Sequence, residues 1–171
     1  SMIPGMEIVV PGRPDEFGSL FSETYDNGNP TVYRTSLFCN SYQQPIAFGK
    51  ANVVKKGSKA TVLAVGPMLE LAMRALQDED VTILYYTTVS PFDAGTLQEN
   101  YVNDRLLLME PAYQGGILPQ AAKALHGEKV KMDFVGYPHE FITNHGYVVE
   151  NAPMYGMTAE AVRAKYKELI R

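Results

Sequence analysis

Four apolar runs recur along the middle of the chain, and most are followed by a segment whose apolar residues return at helical spacing. ATVLAV (60–65) passes through Gly66-Pro67 into MLELAMRALQDED, and VTILYYTTV (81–89) passes through Ser90-Pro91 into FDAGTLQENYVND. RLLLME (105–110) leads through a Gly-Gly turn into ILPQAAKALHG, and VKMDFVG (130–136) leads into a loop. A strand that is apolar at odd and even positions alike has to be covered on both faces. Strands of that kind alternating with amphipathic helices imply βαβ units. The expected fold is therefore α/β, a three-layer α/β/α arrangement around a mostly parallel sheet. Pro67 sits at a favoured first helical position, which sharpens the start of the helix after 65.

The flanking regions add to this frame. MEIVV (6–10) reads as a short strand closed by Pro11-Gly12. A helix follows, with Asp15 and Glu16 near its first turn, Phe17, Leu20, Phe21 and Tyr25 at helical spacing, and Asn27-Gly28-Asn29-Pro30 as its stop. TVYRTS is a second strand, and residues 37–47 read as a linker or an ordered crossing loop. GKANVVKKGSKATVLAVG reads as a hairpin around Lys56-Gly57-Ser58 that contributes one antiparallel edge strand. The last helix is TAEAVRAKYKELIR, with Thr158 as its cap and Ala161, Val162, Tyr166, Leu169 and Ile170 on its apolar face. A length of 171 residues suits one domain with an appendage.

Charge and composition narrow the partners. A net charge of −4 argues against a nucleic-acid partner, which usually leaves a basic footprint. No apolar run approaches the roughly 18 residues of a membrane span. Cys39 is the single cysteine, so no intrachain disulfide is available, and an intracellular, cytoplasmic home is expected. Ligands of open α/β sheets gather beyond the carboxyl ends of the strands. The candidates there are Gly66, Thr87, Thr88 and Ser90, Glu110 with Gly115-Gly116, and Gly136-Tyr137. None forms a G-x-G-x-x-G or a Walker loop. His126, His139 and His145 lack ligand spacing, so no metal site is expected, and the helix dipole alone accounts for His126. His145, in the loop TNHGY, and Glu110 are the candidates for a loop site, although a loop histidine can equally hold a turn. Asp93 at a helix start suits the dipole, and Cys39 has no adjacent histidine to activate it.

The order of segments carries more than any one residue. IPGMEIVVPGRPDEF, NPTVYR, GKANVVKKGSKATVLAVGPMLELAMRA, VSPFDAGTL, EPAYQGG and YGMTAEAV follow one another as in the C-terminal part of the transketolase family. The chain resembles that family of thiamine-diphosphate enzymes over nearly its whole length. Its ending, GYPHEFITNHG followed by YGMTAEAV, is more similar to transketolases and deoxyxylulose-phosphate synthases than to 2-oxoacid dehydrogenase beta subunits. The resemblance implies that residues 1–46 are the end of a pyrimidine-binding domain with its linker, and that 47–171 are the C-terminal domain. It implies transfer of a two-carbon ketol unit between sugar phosphates by a dimeric enzyme that uses thiamine diphosphate and Mg²⁺.

The resemblance also implies what this chain lacks. The diphosphate-binding GDG…N signature has no match, and the glutamate that activates the cofactor would lie upstream. No cofactor is therefore expected in this chain, which alone should be inactive and should partner upstream thiamine-diphosphate-binding domains or a separate subunit. Arg34 in PTVYRTS matches an arginine that helps bind the sugar phosphate in family members, and a guanidinium fork suits that task. Its other reading is an ion pair with a nearby carboxylate. Gly115 and Gly116 match a strand-to-helix turn in which glycines let helix pack closely on sheet. Many members carry a histidine after the acidic residue of that turn, whereas this chain has Pro111, so that histidine's role does not carry over. Two alternatives remain at this level: part of a 2-oxoacid dehydrogenase beta subunit, or a stand-alone regulatory module for a small anion.

Overall fold

The computed structural model describes residues 3–143 and 148–171. Its main body is a five-stranded sheet built from β3 (Ala51–Lys55), β4 (Thr61–Val65), β5 (Thr82–Tyr86), β7 (Arg105–Tyr113) and β8 (Lys131–Tyr137), in the order β3-β5-β4-β7-β8. The four strands from β4 to β8 in this sheet run parallel, and β3 is the antiparallel edge. Side chains alternate across a strand, so one sheet makes two cores. Val62, Ala64, Ile83, Tyr85, Leu107 and Met109 face helices α2 (Met68–Leu76) and α6 (Ala159–Leu169). Leu63, Val65, Leu84, Tyr86, Leu106 and Leu108 face α3 (Ala94–Asn100) and α4 (Leu118–Ala124). The three layers expected from the alternation are present. Two of the helix starts are fixed by their own side chains: Asp93 accepts from the Thr96 amide at 3.1 Å, and Thr158 from the Ala161 amide at 3.2 Å.

Two local expectations are corrected. The segment around Lys56-Gly57-Ser58 is not a hairpin, because β5 lies between β3 and β4. Polar contacts hold the segment against the start of β5 instead: the Gly57 amide donates to Thr82 Oγ1 at 3.1 Å, and the Ser58 amide and hydroxyl donate to Asp80 at 2.8 and 2.7 Å. Lys55 closes the C-terminus of α2 by donating from Nζ to the carbonyls of Leu76, Gln77 and Glu79, a favourable place for a cation. The run 81–89 is likewise two strands rather than one. After Tyr86 the chain leaves the main sheet, and β6 (Thr88–Ser90) joins β1 (Glu7–Val9) and β2 (Thr31–Tyr33) in a three-stranded sheet of order β2-β1-β6. The break is held by amides on either side: Gly66 N donates to Tyr86 O at 2.9 Å, and Val10 N donates to Thr87 O at 2.7 Å. A further helix, α5 (Val148–Met154), stands where a loop was expected.

β1 and β2 are parallel and joined by α1 (Pro14–Thr24), a βαβ unit of its own. A buried carboxylate locks this unit to the main sheet. Glu16 of α1 is 2% exposed, accepts from the Gly12 amide at 2.8 Å, and accepts from the Tyr85 hydroxyl of β5 at 2.6 Å. Asn40 Nδ2 donates to the same hydroxyl at 3.1 Å. A Cβ on Gly12 would lie 2.2 Å from Asn40 Nδ2 and 2.4 Å from the Tyr85 oxygen, so only glycine fits the junction.

Leu107 is fully buried on β7, which β4 and β8 flank, so its loss leaves a cavity that no neighbour can fill. Leu107→Ala should cost about 2–5 kcal/mol in chemical denaturation. A cost below about 1 kcal/mol would contradict the packing described.

Candidate anion-binding groove

The carboxyl ends of β4, β7 and β8 open into a groove of about 1050 Å³. Its floor includes Pro67 and Met68 after β4, Pro111 on β7 and Tyr137 at the end of β8. One wall is the loop that continues β2, from Arg34 to Cys39, and the other is formed by residues 152–160. This is where an open α/β sheet places its ligands.

Arg34 is exposed at the start of the wall loop, directly after β2. Its amide donates to Val9 O at 2.8 Å, which extends the β1–β2 ladder and fixes the backbone. Its side chain reaches across to the main sheet, where Nη2 donates to the Pro111 carbonyl at 2.7 Å. No carboxylate forms an ion pair with it among the described residues, so the alternative reading of Arg34 as an ion-pair partner is not what the geometry shows. Nη2 is thereby held by the protein, and Arg34 lines the groove with no other side-chain hydrogen bond among the described residues. Pro111 contributes through its backbone oxygen, which no side-chain pattern could have signalled.

Glu110, one residue before, is 4% exposed and occupies the Gly-Gly turn. Oε1 accepts from the Gly115 amide at 2.8 Å, and Oε2 accepts from the Ile117 amide at 3.0 Å. A Cβ on Gly116 would lie 2.7 Å from Oε2, and Gly115 has φ +85°. The glycines therefore accommodate the chain's own carboxylate. The pair stands in the expected strand-to-helix turn between β7 and α4, and the group that approaches Gly116 is the Glu110 carboxylate. The turn is an amide nest for an anion, and the anion is Glu110. Burial pushes this carboxyl above the ordinary carboxylate range, while the amides of Gly115, Ile117 and Gly116 and the charge of Arg34 work against that.

The remaining sequence candidates are dispersed. His139 is exposed with its ring 5.2 Å from that of Tyr113, and His126 follows α4. His145 lies outside the described residues. Cys39 is an exposed thiol on the wall loop. Among the described residues no group of three His, Cys, Asp or Glu side chains could hold a metal ion. Sequence reasoning did not foresee that the loop after β2 walls the same groove as β8, because that contact joins residues far apart in the chain. It also passed over Arg74 on α2, which lines the far end and looks in sequence like any solvated helical arginine.

Fold and groove together define an α/β domain with a groove at the carboxyl ends of its parallel strands, beside a second, smaller sheet. A family model described as transketolase, C-terminal domain, matches residues 49–162, and the chain belongs to that family. Among curated relatives, an uncharacterized 33.6 kDa protein in the fasciation locus of Rhodococcoides fascians is 29% identical over 164 residues, covering 94% of this chain and 53% of the relative. A 1-deoxy-D-xylulose-5-phosphate synthase of Histophilus somni is 25% identical over 178 residues, covering 99% of this chain and 29% of the relative. Among solved structures, a split-gene transketolase described as an inactive beta4 tetramer shares the fold with a TM-score of 0.85 at 19% identity, covering 98% of this chain and 59% of that one. The chain thus spans about half, or less, of the length of the curated relatives it matches.

Gly116→Ala should destabilise the protein by roughly 1–3 kcal/mol, because the added methyl meets a carboxylate that has no room to withdraw. Folding raises the Glu110 pKa, so its protonated form contributes stability that is fully present below the unfolded value and is lost as pH rises through the folded one. In paired thermal melts the wild type should therefore gain on Glu110→Gln as pH falls from neutrality toward about 4.3. A difference that ignores pH would contradict the burial described.

Proposed function

We propose that this chain is the C-terminal portion of a thiamine-diphosphate-dependent transketolase-type enzyme that transfers a two-carbon ketol unit between sugar phosphates. The observation that carries this reading is the match to the transketolase C-terminal domain across residues 49–162, in a chain that spans only part of its relatives. In this reading residues 1–46 end a pyrimidine-binding domain and 47–171 form the C-terminal domain. The cofactor and its Mg²⁺ belong to the rest of the enzyme, because the residues present do not fit them. The amide nest of the Gly-Gly turn is filled by Glu110, and no acidic cluster suits a metal among the described residues.

Arg34 is the chain's contribution to substrate, binding the phosphate of the sugar. Its partial use by the Pro111 carbonyl supports this, because the side chain is held in place while other donors of the fork stay open. The small sheet supports a partner. β2 has a single neighbour in its sheet, and the adjoining α1 exposes Phe21 (42%) and Tyr25 (66%), stacked at 5.3 Å. An open parallel edge beside bare aromatic rings suits coverage by upstream cofactor-binding domains or a separate subunit, with two assemblies forming a dimer. No helix among the described residues is long and apolar enough to cross a membrane, and a cytoplasmic location completes the reading.

The chain by itself should show no measurable affinity for thiamine diphosphate in calorimetry, and clear micromolar binding would overturn the division of labour. In the complete enzyme Arg34→Ala should raise the Michaelis constant for a phosphorylated sugar about tenfold or more, as expected for losing a charge-assisted hydrogen bond. The constant for an unphosphorylated sugar should hardly move. Equal effects on both would remove the phosphate role.

A further inference from the structure

Tyr137 ends β8 on the floor of the groove that Arg34 borders. Its backbone is fixed, since its carbonyl accepts from the Gln114 amide at 2.8 Å and its register places it opposite Tyr113. Its ring meets Tyr155 edge-on, with centroids 5.3 Å apart and planes at 64°. The hydroxyl, in contrast, has no hydrogen-bond partner among the described residues. The fully buried tyrosines use theirs: Tyr85 donates to Glu16, Tyr86 to Asp93 O and Tyr166 to Asp80 O. A half-buried phenol with a rigid ring and an open O–H is a donor waiting for an acceptor from the groove.

The electrostatics of this corner favour an anionic acceptor. Burial pushes the Tyr137 phenol up, Tyr155 adds to this, and the nearby charge of Arg34 opposes it, so the group is a neutral donor at physiological pH. Glu110, beside Pro111, has both oxygens engaged by the amides of the 115–117 turn. Of the carboxylates that line the groove, Glu70 is held by the amide and hydroxyl of Ser41 at 2.8 and 2.7 Å, and Glu160 is bonded by Thr158 at the start of α6. The fork of Arg34 and the phenol of Tyr137 are donors that come from two different sheets and line one groove.

We infer that Tyr137 is a second anion ligand, its hydroxyl donating to an oxygen of the same phosphate monoester that Arg34 binds. The inference rests on the phosphate reading of Arg34 and adds a residue that the reading alone does not supply. Together the two residues make the site select a phosphate ester over the free alcohol: the arginine supplies charge, and the tyrosine O–H bonds an anionic phosphate oxygen more strongly than a neutral hydroxyl oxygen.

The test is calorimetric titration of the full chain with glycerol 3-phosphate, and with glycerol as the uncharged control. The wild type should bind the ester and not the alcohol, Arg34→Ala should lose the ester, and Tyr137→Phe should bind it about tenfold more weakly while its melting temperature stays that of the wild type. The phenylalanine keeps the ring against Tyr155, so a fall in affinity reports the hydroxyl alone. Unchanged affinity in Tyr137→Phe beside loss in Arg34→Ala would overturn the inference and leave the arginine's role standing. Unchanged affinity in Arg34→Ala, or no binding by the wild type, would overturn both.

Discussion

Both faces of the five-stranded sheet must be shielded from water, and most of the architecture follows from that requirement. β4 and β5 are buried at every position, so their alternate residues feed two separate cores. Each core requires its own pair of helices, and short βαβ connections supply them on opposite faces. The carboxyl ends of the parallel strands then share one edge, and the groove lies there. The loop after β2 reaches that edge because the first βαβ unit is clamped to β5 through Glu16, Tyr85 and Asn40.

Two buried glutamates do related work at the borders of the sheet. Glu16 joins the small sheet to the large one, and Glu110 organises the turn between β7 and α4. Glycine is required beside each: at Gly12 a Cβ would meet Asn40 Nδ2 and the Tyr85 hydroxyl, and at Gly116 it would meet the Glu110 carboxylate itself. Glu110 has both oxygens held by amides, whereas Glu16 accepts through Oε2 alone and its buried Oε1 has no partner among the described residues, so each junction is held at the cost of desolvating a carboxylate. The Gly-Gly turn therefore has the form of an anion cradle without being open to an external anion. Beside it Arg34 reaches over Pro111, and the Tyr137 hydroxyl has no partner among the described residues.

Much of this was legible from sequence for a definite reason. Continuous apolar runs between helical segments leave few arrangements, so β4, β5, β7, β8 and their helices appear near their expected places. The last helix shows its cap in Thr158 and its buried stripe in Val162, Tyr166 and Leu169. The strand-pairing order was not legible: the residues at 50–65 look like adjacent arms of a hairpin, and only the long-range insertion of β5 separates them. The division of 81–89 at Thr87 was hidden for a similar reason, since strand-favouring β-branched and aromatic residues continue across the switch from one sheet to the other. Arg34 was found through its resemblance to a family position. Its true contact, a carbonyl 77 residues away, is a tertiary fact with no local sign. Tyr137 stood among the strand-end candidates, but only its unpaired hydroxyl and its neighbour distinguish it.

The central claim is that this chain completes an enzyme whose cofactor site lies elsewhere. The most direct measurement is two-carbon transfer from a ketose phosphate to an aldose phosphate, assayed for this chain alone and again with the cofactor-binding portion or subunit supplied. The account predicts no transfer by the chain alone and activity that rises to saturation as the missing portion is added. Transfer by the chain alone, or full activity of the other portion without this chain, would contradict it.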